Sequence, residues 1–176
     1  MAEYTLRDCT PDDAAIIAQH RTSMFVEMGL VPTDELAHQL REASRPALQA
    51  GLRDRTYVGW FAVTADGAVI AGLGIHLKPN LPRISDDGTR LVIADQPLVV
   101  NVYTEPSWRQ RGVARTLMKI AMDWSVARGF DRMILHASDA GRPLYASLGF
   151  AASNEMRWST PPSGAATKAP ADRSYR

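Results

Sequence analysis

The chain has 176 residues, 20 Lys and Arg against 19 Asp and Glu, one cysteine, 45% hydrophobic residues and 22% charged ones. That length suits one domain able to bury most of its apolar surface without staples, and the composition is ordinary for a globular protein. A formal net charge of +1 removes the sequence-wide electrostatic case for nucleic acid or an anionic membrane, and the lone Cys9 excludes an intrachain disulfide framework and any cysteine metal cluster. The segment Met1 to Asp8 has no basic head and no apolar core, so no secretory signal is expected. No stretch approaches the roughly 20 apolar residues of a membrane span. The reading is a soluble, cytoplasmic protein with one domain over 1–160 and a Pro-, Ala- and Ser-rich tail, 161–176, expected to be disordered.

A short strand is expected at Glu3–Arg7. Thr10-Pro11-Asp12-Asp13 then reads as a helix start, with a hydroxyl cap, proline at the first helical position and acids at the positive helix end. Ala14, Ile17, Ala18, Arg21, Met24, Phe25 and Met28 recur behind it at helical spacing, with Arg21 inside the apolar stripe, and Gly29 ends the helix. A second helix begins at Thr33, with Leu36, Leu40 and Ala43 on one face. Pro46 is expected to break or kink it before helix resumes to Arg53. Thr56–Val63 and Ala68–Leu77 read as strands joined at Asp66-Gly67, a hairpin signal. Lys78–Arg90 reads as a surface loop, Leu91–Ala94 as a strand extending the meander, and Leu98–Thr104 as a strand buried on both faces. A helix over Gly112–Arg128, a strand at Arg132–Ala137, a short helix at Ala140–Leu148 and a last strand at Asn154–Ser159 complete the chain. The alternation of strand and helix in the second half, after an antiparallel meander, makes the fold class α/β with a mixed sheet.

The stretch that carries chemistry runs from Val102 to Ala114. An apolar strand passes through a short turn into a helix opened by Gly112 and Ala114. The first backbone N–H groups of a helix lack internal partners, and the macrodipole adds positive charge there. Small residues let an anion approach that backbone, and Arg109, Arg111 and Arg115 add charge beside it. Two readings follow: a phosphate or pyrophosphate site, or a tight turn with solvated arginines. The phosphate-loop pattern G-x-x-x-x-G-K-[ST] is absent, and Gly72-Leu73-Gly74 is a bare G-x-G inside a strand, better read as close backbone packing. His20, His38, His76 and His136 show no metal-ligand spacing, so no metal is expected, and His136, at a strand end, is the one to watch. Cys9 precedes a helix, where either a lowered pKa or plain burial would fit.

Arg109-Gln110-Arg111-Gly112-Val113-Ala114 resembles the R/Q-x-x-G-x-G/A motif of the GNAT acyl-CoA-dependent N-acyltransferases, and Leu148-Gly149-Phe150, closing the helix that holds Tyr145, resembles the family's other marker. The resemblance spans residues 3–159 and is strongest from Leu98 to Phe150. It implies a mixed sheet splayed open at its middle strands, with acetyl-CoA lying in the splay. By position, backbone amides of Arg111, Gly112, Val113 and Ala114, with the charge of Arg109, would hold the pyrophosphate. Backbone groups of Tyr103 and Thr104 would pair with the pantetheine arm and the acetyl carbonyl. Tyr145 falls where many members keep a tyrosine beside the sulfur. Asp139 stands where the family often has asparagine contacting the coenzyme; an ionised carboxylate accepts but does not donate, which puts that contact in question. The resemblance also places the acceptor near Arg21 and Glu27 on the first helix, and makes a homodimer through the sheet or last strand an expectation.

The implied chemistry is attack of a primary amine on a thioester through a tetrahedral oxyanion, with a thiolate leaving. An alkyl amine has a pKa of about 10.4, so the site must remove a proton or desolvate the ammonium. The central strand offers no acid between Leu98 and Thr104. Asn101 is a candidate to position water or substrate, Glu105 a candidate base, and Tyr145 a candidate acid for the thiolate. Arg21 would bind a substrate carboxylate or else pack its stem and reach water. The favoured acceptor is a small molecule; the alternatives are a non-catalytic acyl-CoA sensor and an enzyme acetylating lysine or N-terminal amines of proteins. No nucleic-acid or membrane partner is expected.

Overall fold

The computed structural model describes residues 3–159. The order is β1 (Thr5–Asp8), α1 (Ala14–Glu27), α2 (Asp34–Arg53), β2 (Tyr57–Val63), β3 (Val69–Lys78), β4 (Arg83–Ile84), β5 (Leu91–Val92), β6 (Gln96–Thr104), α3 (Val113–Ala127), β7 (Ile134–Leu135) and α4 (Arg142–Ser147). Five strands form one mixed sheet in the order β1-β2-β3-β6-β7, antiparallel except for the last pair. The expected tail lies outside the described residues.

The sheet is buried on both faces, which is why β2 and β3 read as continuous apolar runs. The period of two splits each strand between two cores. Trp60, Ala62, Leu73 and Ile75 turn toward α3, where Leu117, Met118 and Ala121 are fully buried. Tyr57 and Phe61 turn the other way and meet Ala14, Ile17 and Ala18 of α1 with Leu48 and Leu52 of α2. On β3 Gly72 and Gly74 face that second core, each packed beneath an aromatic ring. A Cβ on Gly74 would stand 1.8 Å from the Tyr57 hydroxyl, and one on Gly72 would stand 2.7 Å from the Phe61 ring. The G-x-G is a seat for two aromatic side chains.

The start of the first helix forms as its sequence predicts. The Asp13 carboxylate accepts from the Thr10 N–H at 2.7 Å and from both terminal nitrogens of Arg7 at 2.8 and 2.7 Å, tying β1 to α1. The Arg7 guanidinium accordingly holds the Asp13 carboxyl below its usual range.

Several expectations require correction. The second helix runs unbroken through Pro46, because Pro46 and Glu42 are both exposed and the carbonyl that proline deprives of a donor reaches water. Its apolar contact lies in its second half, at Leu48 and Leu52, while Leu36 is exposed. Leu91–Val92 does not extend the meander but pairs with Arg83–Ile84 in a separate two-stranded sheet. Residues 154–159 form no strand: Met156 and Trp158 alternate with polar residues, yet no sheet edge pairs with them and they are 94% and 82% exposed. Alternation prescribes a face, and a partner edge must come from elsewhere. Beyond its short pairing with β7, the edge strand among the described residues, β6 is left open, and this opening is the splay.

Gly74→Ala tests the aromatic seat. The added methyl displaces Tyr57 and is expected to cost about 2–3 kcal/mol in urea denaturation. Tyr57→Phe in the Gly74→Ala background should recover part of that loss, since the hydroxyl is the nearest of the clashing atoms.

Candidate active site

The site begins with a mismatch between β3 and β6. Gly72 pairs with Tyr103 and Gly74 with Val100, so β6 carries one residue more than β3 between those pairs. Asn101 takes up the excess in the left-handed region, at φ 55°. This bulge suits asparagine, which tolerates that conformation better than most residues. It also changes which side chains face α1. Val100 packs into the α1–α2 core, Asn101 bonds to α1 and Tyr103 packs on His20 of α1, whereas Val99 and Val102 turn toward α3. In an unbulged strand Asn101 would point the other way.

Asn101 is buried and held at both ends of its amide. Its Nδ2 donates to the Tyr57 hydroxyl at 3.1 Å, and its Oδ1 accepts from Arg21 at 2.8 Å. The Arg21 guanidinium lies over Phe25 at 4.7 Å, and burial lowers its pKa. His20 is buried between Phe61 and Tyr103, its pKa pushed down to about 4 by desolvation, so its ring is neutral at pH 7. Its Nδ1 has no partner among the described residues, and its Nε2 stands 3.6 Å from Glu105, beyond hydrogen-bond range.

The second part of the site is the turn into α3. Gln110 and Gly112 both adopt left-handed conformations, at φ 60° and 81°, with Arg111 between them. Alternating hands of this kind turn successive N–H groups toward one side. No backbone N–H from Gln110 to Arg115 has an acceptor among the described residues. These amides border a cleft of about 290 Å³ lined by Thr104, Trp108, Arg109, Gln110, Gly112–Arg115 and Leu144. A Cβ on Gly112 would meet nothing within 4 Å, so only conformation and the open side demand glycine there.

The wall opposite is the far half of β6. β7 pairs with β6 at Leu98 and Val99 only, leaving the rest of that edge open. The Glu105 N–H donates to Ile70, and Tyr103 pairs with Gly72, so strand alternation aims Tyr103's backbone at β3. The groups facing the splay are those of Val102 and Thr104. The Tyr103 backbone is therefore turned away from the open edge, where Val102 stands in its place, an arrangement the bulge hid from the sequence. The Thr104 hydroxyl is buried without a partner among the described residues, and the Thr104 carbonyl accepts from Arg109 Nε at 2.9 Å.

Arg109 and Glu27 face each other. The Arg109 NH2 meets both Glu27 oxygens at 2.7 and 2.8 Å, and the Tyr103 hydroxyl donates to the same carboxylate at 3.3 Å. Arg111 lies over Trp108 at 5.0 Å and pairs with Glu3 at 3.2 Å, so of this residue only the backbone N–H borders the open turn. Val113 is buried, and Ala114 lines the cleft as expected. Asp139 is wholly exposed, at 103% for its side chain, and lies 3.8 Å from Arg142. Tyr145 is half-buried, edge-on to Phe150 at 6.1 Å, and Gly141 leaves room for its ring. Burial raises its pKa, and its hydroxyl has no partner among the described residues. His136 is exposed and pairs with Glu155 at 3.2 Å; the histidine at the site is His20, placed there by the α1–β6 contact. Burial drives the Cys9 thiol well above its usual range, so it is an inert packing group.

Residues 23–150 match the acetyltransferase (GNAT) family, which covers most of the chain. The chain belongs to that family. A GCN5-related N-acetyltransferase from Ralstonia eutropha JMP134 is 31% identical, with a TM-score of 0.76 over 92% of this chain and 99% of that one. A predicted acetyltransferase from Clostridium acetobutylicum with acetyl-CoA is 21% identical, with a TM-score of 0.74 over 89% of this chain and 96% of that one. The glucosamine-6-phosphate N-acetyltransferase of Arabidopsis thaliana is 14% identical, with a TM-score of 0.59 over 89% of this chain and 97% of that one. At the last two identities the likeness shows the fold alone. A comparison with curated proteins gave no match. The mixed sheet, the α3 turn and the helix ending in Leu148-Gly149-Phe150 are thus the GNAT frame of this chain.

Two measurements probe this geometry. His20 takes up a proton near pH 6.5 when unfolded and only near 4 when folded, so the unfolded state binds more protons between those values. Stability present above pH 6.5 is lost as the pH falls, by about 3 kcal/mol at pH 4. His20→Gln should flatten that part of the urea-midpoint profile. Gly112→Val places a branched side chain at positive φ and at the mouth of the cleft. It should cost about 1–2 kcal/mol of stability and lower coenzyme A affinity by about 100-fold or more in calorimetric titration; unchanged affinity would remove the turn from the site.

Proposed function

We propose that the chain is an acetyl-CoA-dependent N-acetyltransferase acting on a small primary amine. The observation that carries this reading is the cleft at the start of α3, bordered by consecutive backbone N–H groups from Gln110 to Arg115 that have no acceptor among the described residues. Such a row at a helix N-terminus suits a pyrophosphate. The open edge of β6 at Val102 and Thr104 offers a strand's donors and acceptors to the amide-bearing arm of the same coenzyme. The coenzyme would supply an acetyl group already activated as a thioester.

The protein's own residues supply the proton transfers. Tyr145 stays protonated at neutral pH, and its hydroxyl donates to the leaving sulfur. Glu105, at the end of β6, is free of any arginine partner among the described residues, unlike Glu27, and takes the proton of the amine directly or through water. Asn101 is committed to Tyr57 and Arg21, so in this reading it positions the acceptor side of the site and leaves the handling of water to Glu105.

Acetyl-CoA titrated into the protein should bind in the micromolar range, about −8 kcal/mol, and dephospho-CoA should distinguish the ribose phosphate from the pyrophosphate contribution. Absence of binding at millimolar ligand would end the enzyme reading. Tyr145→Phe should lower kcat by tenfold or more, within the usual range for loss of a general acid, while the acetyl-CoA Kd stays within about twofold of wild type. An undiminished kcat would leave Tyr145 as a packing residue.

A further inference from the structure

We infer that the acceptor carries a carboxylate, held by Arg21 on the α1 side of the β6 bulge; this rests on the N-acetyltransferase reading and names its substrate class as amino-acid-like amines.

Arg21 is a half-buried cation with no anion. Its hydrogen bond goes to the neutral Asn101 Oδ1, its flat face lies on Phe25, and no carboxylate comes within ion-pair distance of it among the described residues. The groups around it do not neutralise it. Tyr57 is held protonated by burial, and His20 is neutral. Glu27, on the same helix, is already bound by Arg109 and by the Tyr103 hydroxyl, and Glu105 faces His20. A partly desolvated guanidinium normally has a partner, because burial of an uncompensated charge is costly. The fold nevertheless spends two further groups on orienting it: Asn101, in a strained conformation, is fixed by the Tyr57 hydroxyl so that its carbonyl oxygen faces Arg21. One nitrogen is thereby occupied, leaving the remaining donors of the fork for a ligand.

The position fits an acceptor. Arg21 contacts Asn101, whose neighbour Val102 presents its backbone to the splay where the thioester would lie. A substrate anchored at Arg21 by its carboxylate would thus hold an amine a few bonds away near that edge. The charge fits a monoanion: Arg21 is one uncompensated cation, and the nearby Arg109 is already neutralised by Glu27. A phosphate dianion would call for a second. Carboxylate recognition is therefore favoured over phosphate.

The experiment compares thiol release from acetyl-CoA with the standard amino acids, β-alanine and 4-aminobutyrate, with their carboxamides, and with phosphoethanolamine. Wild type should prefer its best carboxylate over the matching carboxamide by at least about tenfold in kcat/KM. Arg21→Gln should abolish that preference by raising the carboxylate KM, and Arg21→Lys should restore it in part. The acetyl-CoA Kd, measured on each variant, should stay unchanged and reports that the fold is intact. Equal use of carboxylate and carboxamide by wild type, preference for phosphoethanolamine, or equal loss of both substrate types in Arg21→Gln would overturn the inference while leaving N-acetyl transfer standing. Should acetyl-CoA itself fail to bind, thermal stabilisation by the same amino acids, but not by their carboxamides, in wild type and not in Arg21→Gln would still support the carboxylate site. Equal shifts, or none, would refute it.

Discussion

β6 carries one residue more than β3 can pair with, and the residue that absorbs the excess is Asn101. Because it sits in the left-handed region, two successive residues face α1, and the strand then resumes its alternation one step out of phase. Three consequences follow from that one insertion. Tyr103 returns to the α1 face, where His20 and Glu27 meet it. Val102 and Thr104 present their backbones to the open edge. Asn101 itself reaches Arg21 and Tyr57. The seat for Tyr57 depends in turn on Gly74, so the two halves of the bulge are held by one aromatic side chain.

The charges near the bulge are arranged in an order that distance alone imposes. Arg109 could serve the anion turn to which its position in the motif assigns it, but Glu27 at the end of α1 is close enough to take it, in a two-pronged pair beside the Tyr103 ring. At the turn itself the direction of the backbone N–H groups is set by Gln110 and Gly112, and they cannot swing away as a side chain can. An arginine clasped to α1 instead locks the first helix against the strand end. Beside this clasp, Arg21 has no counterion among the described residues.

Much of this was legible in the order of residues. The helix start at Thr10-Pro11, the Asp66-Gly67 hairpin and the α3 turn are local, each enforced by a cap, a glycine or a proline within a few residues, and they appear where expected. The lack of a strand at 154–159 and the continuity of the helix through Pro46 were not, because each depends on what lies alongside: a free sheet edge in the first case, water at the Glu42 carbonyl in the second. Tyr103 was hard to orient for a related reason. Its backbone direction hangs on a bulge whose one trace is a polar residue in an apolar run, and Asn101 read equally well as a water-holding group.

The sequence by itself determined the frame. Apolar periodicity and turn chemistry act over short range, and an anion-binding turn needs only a strand, a glycine and a helix in succession. Which side chains meet was decided by tertiary structure. Arg21 and Asn101 are 80 residues apart in the chain, and Glu27 and Arg109 are 82. Their pairing depends on which face of β6 looks toward α1, and that face is set by the register between strands. Local residue patterns do not encode it, because one inserted residue reverses it.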